Sequence, residues 1–126
     1  MVINLDSITA GASGITFASL AKNSTNGGAA YRFNNLDGTF FTVTGSANVS
    51  GSGGGDTSLF IGGGSAAAFN FGSYTSNNSS SNAISISGAG NGIVTFGSVS
   101  IDNANAGNGV TISGSDNTVN INGGSI

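Results

Sequence analysis

Between Asn82 and Ile126 the chain makes one device four times over: Ala83-Ile84-Ser85-Ile86-Ser87, then Gly92-Ile93-Val94-Thr95-Phe96-Gly97-Ser98-Val99-Ser100-Ile101, then Gly109-Val110-Thr111-Ile112-Ser113, then Thr118-Val119-Asn120-Ile121-Asn122. Apolar and small polar residues alternate with period two. That places Ile84 and Ile86, or Val119 and Ile121, on one face of a strand and Ser, Thr and Asn on the other. Between the strands Ala89-Gly90-Asn91-Gly92-Ile93 returns, seventeen positions later, as Ala106-Gly107-Asn108-Gly109-Val110. On that offset Gly97-Ser98 falls on Gly114-Ser115, Asn103 on Asn120 and Asn105 on Asn122, a short internal repeat.

Composition points the same way. Of 126 residues only 6% are charged, 23 are Gly, and Pro, Cys, His and Trp are absent, whereas ordinary soluble domains carry about a quarter charged residues. Ser, Thr, Asn and Gly compete against helix. Eight Phe with many Ile and Val argue against disorder. The fold class is therefore all-β.

In chain order, Val2 to Leu5 and Ile15 to Leu20 read as strands of an N-terminal arm. The arm is either loose or docked on a neighbouring surface, since Ile3, Leu5, Ile15 and Phe17 require burial. Asn26-Gly27 and Asp37-Gly38 are hairpin-turn pairs. They predict a three-stranded meander over residues 15–44, with Phe17, Phe33 and Phe40 or Phe41 as its core. Ser46 to Ser58 reads as unstructured, Leu59-Phe60-Ile61 and Ala67 to Phe71 as strands, and Ser73 to Asn82 as an exposed loop. Residues 1–50 form the expected docking region and residues 51–126 the regular Gly/Ser/Asn-rich region.

Two architectures compete: a short-stranded β-solenoid, favoured by the seventeen-residue recurrence, and a β-sandwich or meander, favoured by the Asn-Gly turns. In both the core is thin and the Gly content costly, which makes a lone monomer marginal and predicts completion by oligomerisation. Sheet edges lack the usual Lys and Pro guards, as suits edges that are paired in an assembly.

The sequence offers little chemistry. Without His, Glu or Cys, general acid-base work is left to Asp6, Asp37, Asp56, Asp102 and Asp116, Lys22, Tyr31 and Tyr74. The aspartates are scattered singly and suit turns. No enzyme and no cofactor are expected. Gly53-Gly54-Gly55-Asp56 and Gly114-Ser115-Asp116 approach a calcium-binding nonapeptide, but Ser58 and Thr118 stand at its apolar position; Asp56 and Asp116 are the weak calcium candidates. Tyr31 or Tyr74, if exposed, would suit a glycan-binding module. Lys22 and Arg32 are the only basic residues, so there is no basic stripe for nucleic acid. No segment approaches the roughly 18 apolar residues of a membrane span, and Met1 to Asp6 has no signal-peptide character.

Low charge, no Cys or His, no signal sequence and short strands rich in Gly, Ser, Asn and Thr give a profile that resembles bacteriophage virion surface proteins, the capsid decoration or cement proteins and fibre shafts. The resemblance covers the whole chain through composition. It implies a structural protein folded in the host cytoplasm and carried on the virion surface. By the same resemblance it is a homotrimer, bound to a major capsid or tail protein. The N-terminal region, with Ile3, Leu5, Ile15, Phe17, Lys22 and Arg32, is the expected interface. The rival expectation is a secreted filament, matrix or surface-layer subunit.

Overall fold

A computed structural model describes residues 1–23, 29–50, 57–77, 81–88, 90, 92–102 and 107–126, and every regular element among them is a β-strand. The strands are β1 (Ile3–Ala10), β2 (Ile15–Phe17), β3 (Leu20–Asn23), β4 (Tyr31–Gly38), β5 (Phe40–Ser50), β6 (Leu59–Gly62), β7 (Ala68–Asn77), β8 (Ile84–Ser87), β9 (Ile93–Asp102), β10 (Val110–Ser113), β11 (Thr118–Ile121) and β12 (Gly124–Ser125). They are shared between two sheets. One has the order β1-β4-β6-β8-β10; the other runs β11-β9-β7-β5-β2, with β3 beside β5 and β12 beside β9. All the pairings are parallel. The chain is a β-solenoid of about four turns.

Each coil places its residues directly on those of the coil before. Ile3, Tyr31, Leu59, Ile84 and Val110 stand in one column of the first sheet. In the second sheet Ile15, Phe41, Phe69, Val94 and Val119 form another, and Phe17, Val43, Phe71, Phe96 and Ile121 a third. The coil is therefore longer than the seventeen-residue recurrence, and its length differs slightly from turn to turn. That recurrence links two different corners of the coil: Gly92 leads into β9 of one sheet and Gly109 into β10 of the other.

Two columns of backbone fix the corners. The fifth position counted from the start of every strand of the first sheet is left-handed: Ser7 and Asn35 at φ 55°, Gly63 at 63°, Gly88 at 58° and Gly114 at 52°. Gly suits that conformation and Asn tolerates it, which is why the turn residues gather there. In the second sheet Gly45, Gly72 and Gly97 lie where coils touch backbone to backbone. A Cβ on Gly45 would stand 2.7 Å from the Ala18 carbonyl oxygen, and one on Gly72 2.5 Å from that of Thr44.

The expected meander over residues 15–44 is not formed. β2 and β3 pair with β5, β4 pairs with β1 and β6, and among the described residues no strand pairs with its sequence neighbour. The Asp37-Gly38 signal marks a corner, where Gly38 at φ 99° packs on the backbone of Ala10. Residues that permit positive φ serve a solenoid corner as well as a hairpin, so they do not fix strand direction. The Asn26-Gly27 signal lies outside the described residues. Nor does the N-terminal stretch form an arm, because β1 pairs with β4 from Ile3 to Ala10 and makes the first coil. Ser46–Ser50 and Ser73–Asn77, expected as irregular, extend β5 and β7, and the stack runs unbroken across residue 50.

Between the sheets the core is aromatic. Phe33 of the first sheet meets Phe41 and Phe69 of the second at 4.5 and 5.2 Å between ring centroids. Phe71 stacks on Phe96 at 5.1 Å, and Phe17 reaches Phe41 at 5.8 Å. Two tyrosines tie the sheets across this core: the Tyr31 hydroxyl donates to the Asn48 carbonyl at 2.8 Å, and that of Tyr74 to the Ala83 carbonyl at 2.9 Å. At one corner the buried Ser65 hydroxyl accepts from the Leu36 N–H at 2.9 Å and donates to the Gly62 carbonyl at 2.6 Å.

Phe96→Ala is expected to lower unfolding free energy by about 3–5 kcal/mol through transfer and cavity terms. The two glycine columns separate two costs. Gly114→Ala has open space and meets only the left-handed backbone penalty of about 1–2 kcal/mol. Gly97→Ala drives a methyl into the Gly72 carbonyl and costs more. Urea denaturation ranking Gly114→Ala as the worse of the two would refute the stacked glycine column.

Candidate functional site: the open ends of the stack

The outward faces are built from uncharged side-chain ladders. On the second sheet Thr16, Thr42, Asn70, Thr95 and Asn120 are aligned, and Asn70 donates to the Thr42 hydroxyl at 3.4 Å. On the first, Ser113 donates to Ser87 at 3.4 Å. A charged cluster sits towards the N-terminal end. There Asp6 accepts from the Asn34 amide at 2.8 Å and pairs with Arg32 at 3.3 Å, while the Arg32 guanidinium lies 5.7 Å from the Phe60 ring centroid. The Asn34 hydrogen bond, helped by Arg32 and Ser7, holds the Asp6 carboxyl below its ordinary value against the opposing effect of desolvation.

Among the described residues no three acidic, His or Cys side chains gather into a metal-binding group. Asp116 is exposed next to Asn117, whose amide donates to the Gly92 carbonyl at 2.6 Å. Asp56 lies outside the described residues. Asp37 is half-buried at a corner and Asp102 exposed at the end of β9. The glycan module that needs Tyr31 or Tyr74 at the surface is overturned, because both are fully buried in the core. Burial, the largest cause in each, raises both phenols well above their ordinary value.

The ends are different. A stack of coils exposes the cross-section of its core at its first and last coil, and here those sections are apolar. At the N-terminal end Ile3, Leu5 and Ile15 are half-buried and pack on the core, while Phe17 is 37% exposed. Of the other residues expected at an interface there, Arg32 is half-buried within the outer cluster. Lys22 is only 5% exposed, because its side chain occupies the inward column that continues as Val49, Ser76 and Ile101. Amphipathic alternation alone did not reveal that, since Lys at a strand position reads as outward.

At the C-terminal end Ile112 and Ile121 are 49% and 39% exposed, beside half-buried Val110 and Val119. Next to them lies a cleft of about 320 Å³ lined by Val99, Ile121, Gly123, Gly124, Ser125 and Ile126. Gly124 stands in the column of Leu20, Ala47, Tyr74 and Val99, so the last coil has no side chain where the others fill the core. The residues of this end went unrecognised in the sequence. Their signal is the apolar-Thr/Asn-apolar triplet, which recurs at Ile15, Phe41, Phe69, Val94 and Val119 and marks Ile121 as the last of its column.

No protein-family model, curated protein or solved structure matches the chain.

The buried tyrosines fix a pH limit. A folded-state value raised above the unfolded value of about 10 contributes stability that is complete below that pH and lost as pH rises. Tyrosinate absorbance is expected only together with loss of the strand circular-dichroism signal. Tyrosinate appearing while the fold is intact would contradict their burial. Asp6 acts in the opposite sense: its contribution is present above about pH 4 and falls away as pH drops through its lowered folded value.

Proposed function

We propose that the protein is a non-enzymatic structural element of an assembly, of the bacteriophage virion surface kind: a capsid decoration, cement or fibre subunit docked through its N-terminal coil on a major capsid or tail protein. The observation that carries this reading is the distribution of polarity. Mostly small uncharged side chains clothe the flanks, Ile93 being a large apolar exception, whereas the apolar core is left open at both ends, with Phe17 at one and Ile112 and Ile121 at the other. Repeat proteins that live alone close their terminal repeats with a polar outer face. Such ends suit a segment joined to something else. The homotrimer belongs to the same proposal through the compositional resemblance.

A second reading, an extracellular filament or surface-layer subunit, is favoured by the likeness of the two ends. A head-to-tail contact without rotational closure generates an open polymer.

Antibody raised against the protein, followed through density-gradient fractions and by immunogold labelling of a producing culture, tests the proposal. Label banding with intact particles is expected. Label on cell-bound or shed filaments transfers the function to the second reading, and label only among soluble cell proteins overturns both.

A further inference from the structure

We infer that copies of this chain stack head to tail, the last coil of one carrying the first coil of the next in the register that continues the columns. This rests on the assembly reading in its fibre form. The first copy docks through its N-terminal coil on the capsid or tail protein, each later copy docks on the one before, and the stack takes the place of the closed homotrimer. Among the described residues the sheet edges left unpaired are β1 with β2 and β3 at one end, and β10 with β11 and β12 at the other. All these strands run parallel, so simple translation along the stack brings β1 beside β10 and β2 beside β11 in the direction every other pair adopts.

The columns agree at the junction. Above Val110 and Ile112 the next copy sets Ile3 and Leu5, and above Val119 and Ile121 it sets Ile15 and Phe17. On the first sheet these continue the columns that already carry Tyr31, Leu59 and Ile84, or Phe33, Ile61 and Ile86. Phe17, Ile112 and Ile121 are thus exposed apolar groups that the other end would cover, while beside them Ile126 falls in the column that begins at Lys22. The outer columns agree as well. Thr111 Oγ1 is the buried side-chain oxygen left without a hydrogen-bond partner among the described residues. In the continued stack Asn4 of the second copy stands over it, and Asp6 over the uncharged Ser113. A two-fold, end-to-same-end contact would reverse strand direction and set the left-handed corners at opposite ends of the paired strands, and so is disfavoured.

The chain has no cysteine, which makes the register directly readable. Thr16 and Asn120 are exposed in one outer column, so the Thr16→Cys, Asn120→Cys double variant places two thiols on adjacent aligned strands. Parallel neighbours lie about 4.8 Å apart, within disulfide reach. Oxidation is expected to give a ladder of multimers on a non-reducing gel. Thr16→Cys with Ser113→Cys, on opposite sheets, is expected to give none. Ile121→Asp, at an already exposed position, is expected to retain the strand signal, abolish the ladder and reduce the light-scattering mass to one chain. A monomer with no ladder at any concentration overturns the stacking. So does a closed trimer without cross-links, or a dimer formed by Thr16→Cys alone. Particle labelling reports separately: a ladder without labelled particles removes the virion reading and leaves the stacking standing, while labelled particles without a ladder do the reverse.

Discussion

Everything in this molecule depends on the chain turning at the same place in every coil. Parallel strands cannot be joined by a tight hairpin, so each coil must travel around the core and return beneath itself. It can do so in register only if its corners stack. The left-handed column Ser7, Asn35, Gly63, Gly88 and Gly114 is that requirement written in backbone angles. With the corners fixed, inward positions line up as Phe, Ile and Val and outward positions as Thr, Asn and Ser, and ladder hydrogen bonds satisfy the backbone between coils.

A short coil leaves room for one layer of side chains from each sheet. The core answers with rings long enough to meet in the middle, Phe33 against Phe41 and Phe69, and with two tyrosines whose hydroxyls reach across to carbonyls beside the opposite sheet. Serine and glycine do the complementary work where backbone approaches backbone. The scarcity of charge follows from the same geometry: a side chain in a ladder stands about 4.8 Å from its copies above and below, where like charges repel. Where Asp6 enters a strand of the first coil, Arg32 of the next coil neutralises it.

A stack of this sort is stabilised coil by coil, each coil burying one side of its neighbour. The first and last coils bury only one side. Unless something polar closes them, the half-covered residues there are among the most exposed apolar groups of the molecule, as Phe17, Ile112 and Ile121 are. The same physics that builds the interior therefore produces the adhesive ends, and the functional reading rests on that shared origin. The flanks are clothed mainly in small uncharged side chains, with Ile93 on β9 as an exposed large apolar group among them.

The alternation in Ile84-Ser85-Ile86-Ser87 and its relatives by itself determined the class: all-β, short strands, one apolar face, corners rich in Gly and Asn, and little chemistry. Period-two patterning is set by local pleat geometry and needs no knowledge of the partner strand. Ile3, Leu5, Ile15 and Phe17 were legible as residues needing cover for the same reason. Strand direction, coil length and the company of Lys22 were decided only by tertiary structure. Asp37-Gly38 permits a corner as readily as a hairpin. Ala-Gly-Asn-Gly serves two different corners, and so masked a longer coil whose length is not constant. The opposite end, with Ile112 and Ile121, became visible only once the columns were aligned, because an exposed edge is defined by the neighbour it lacks.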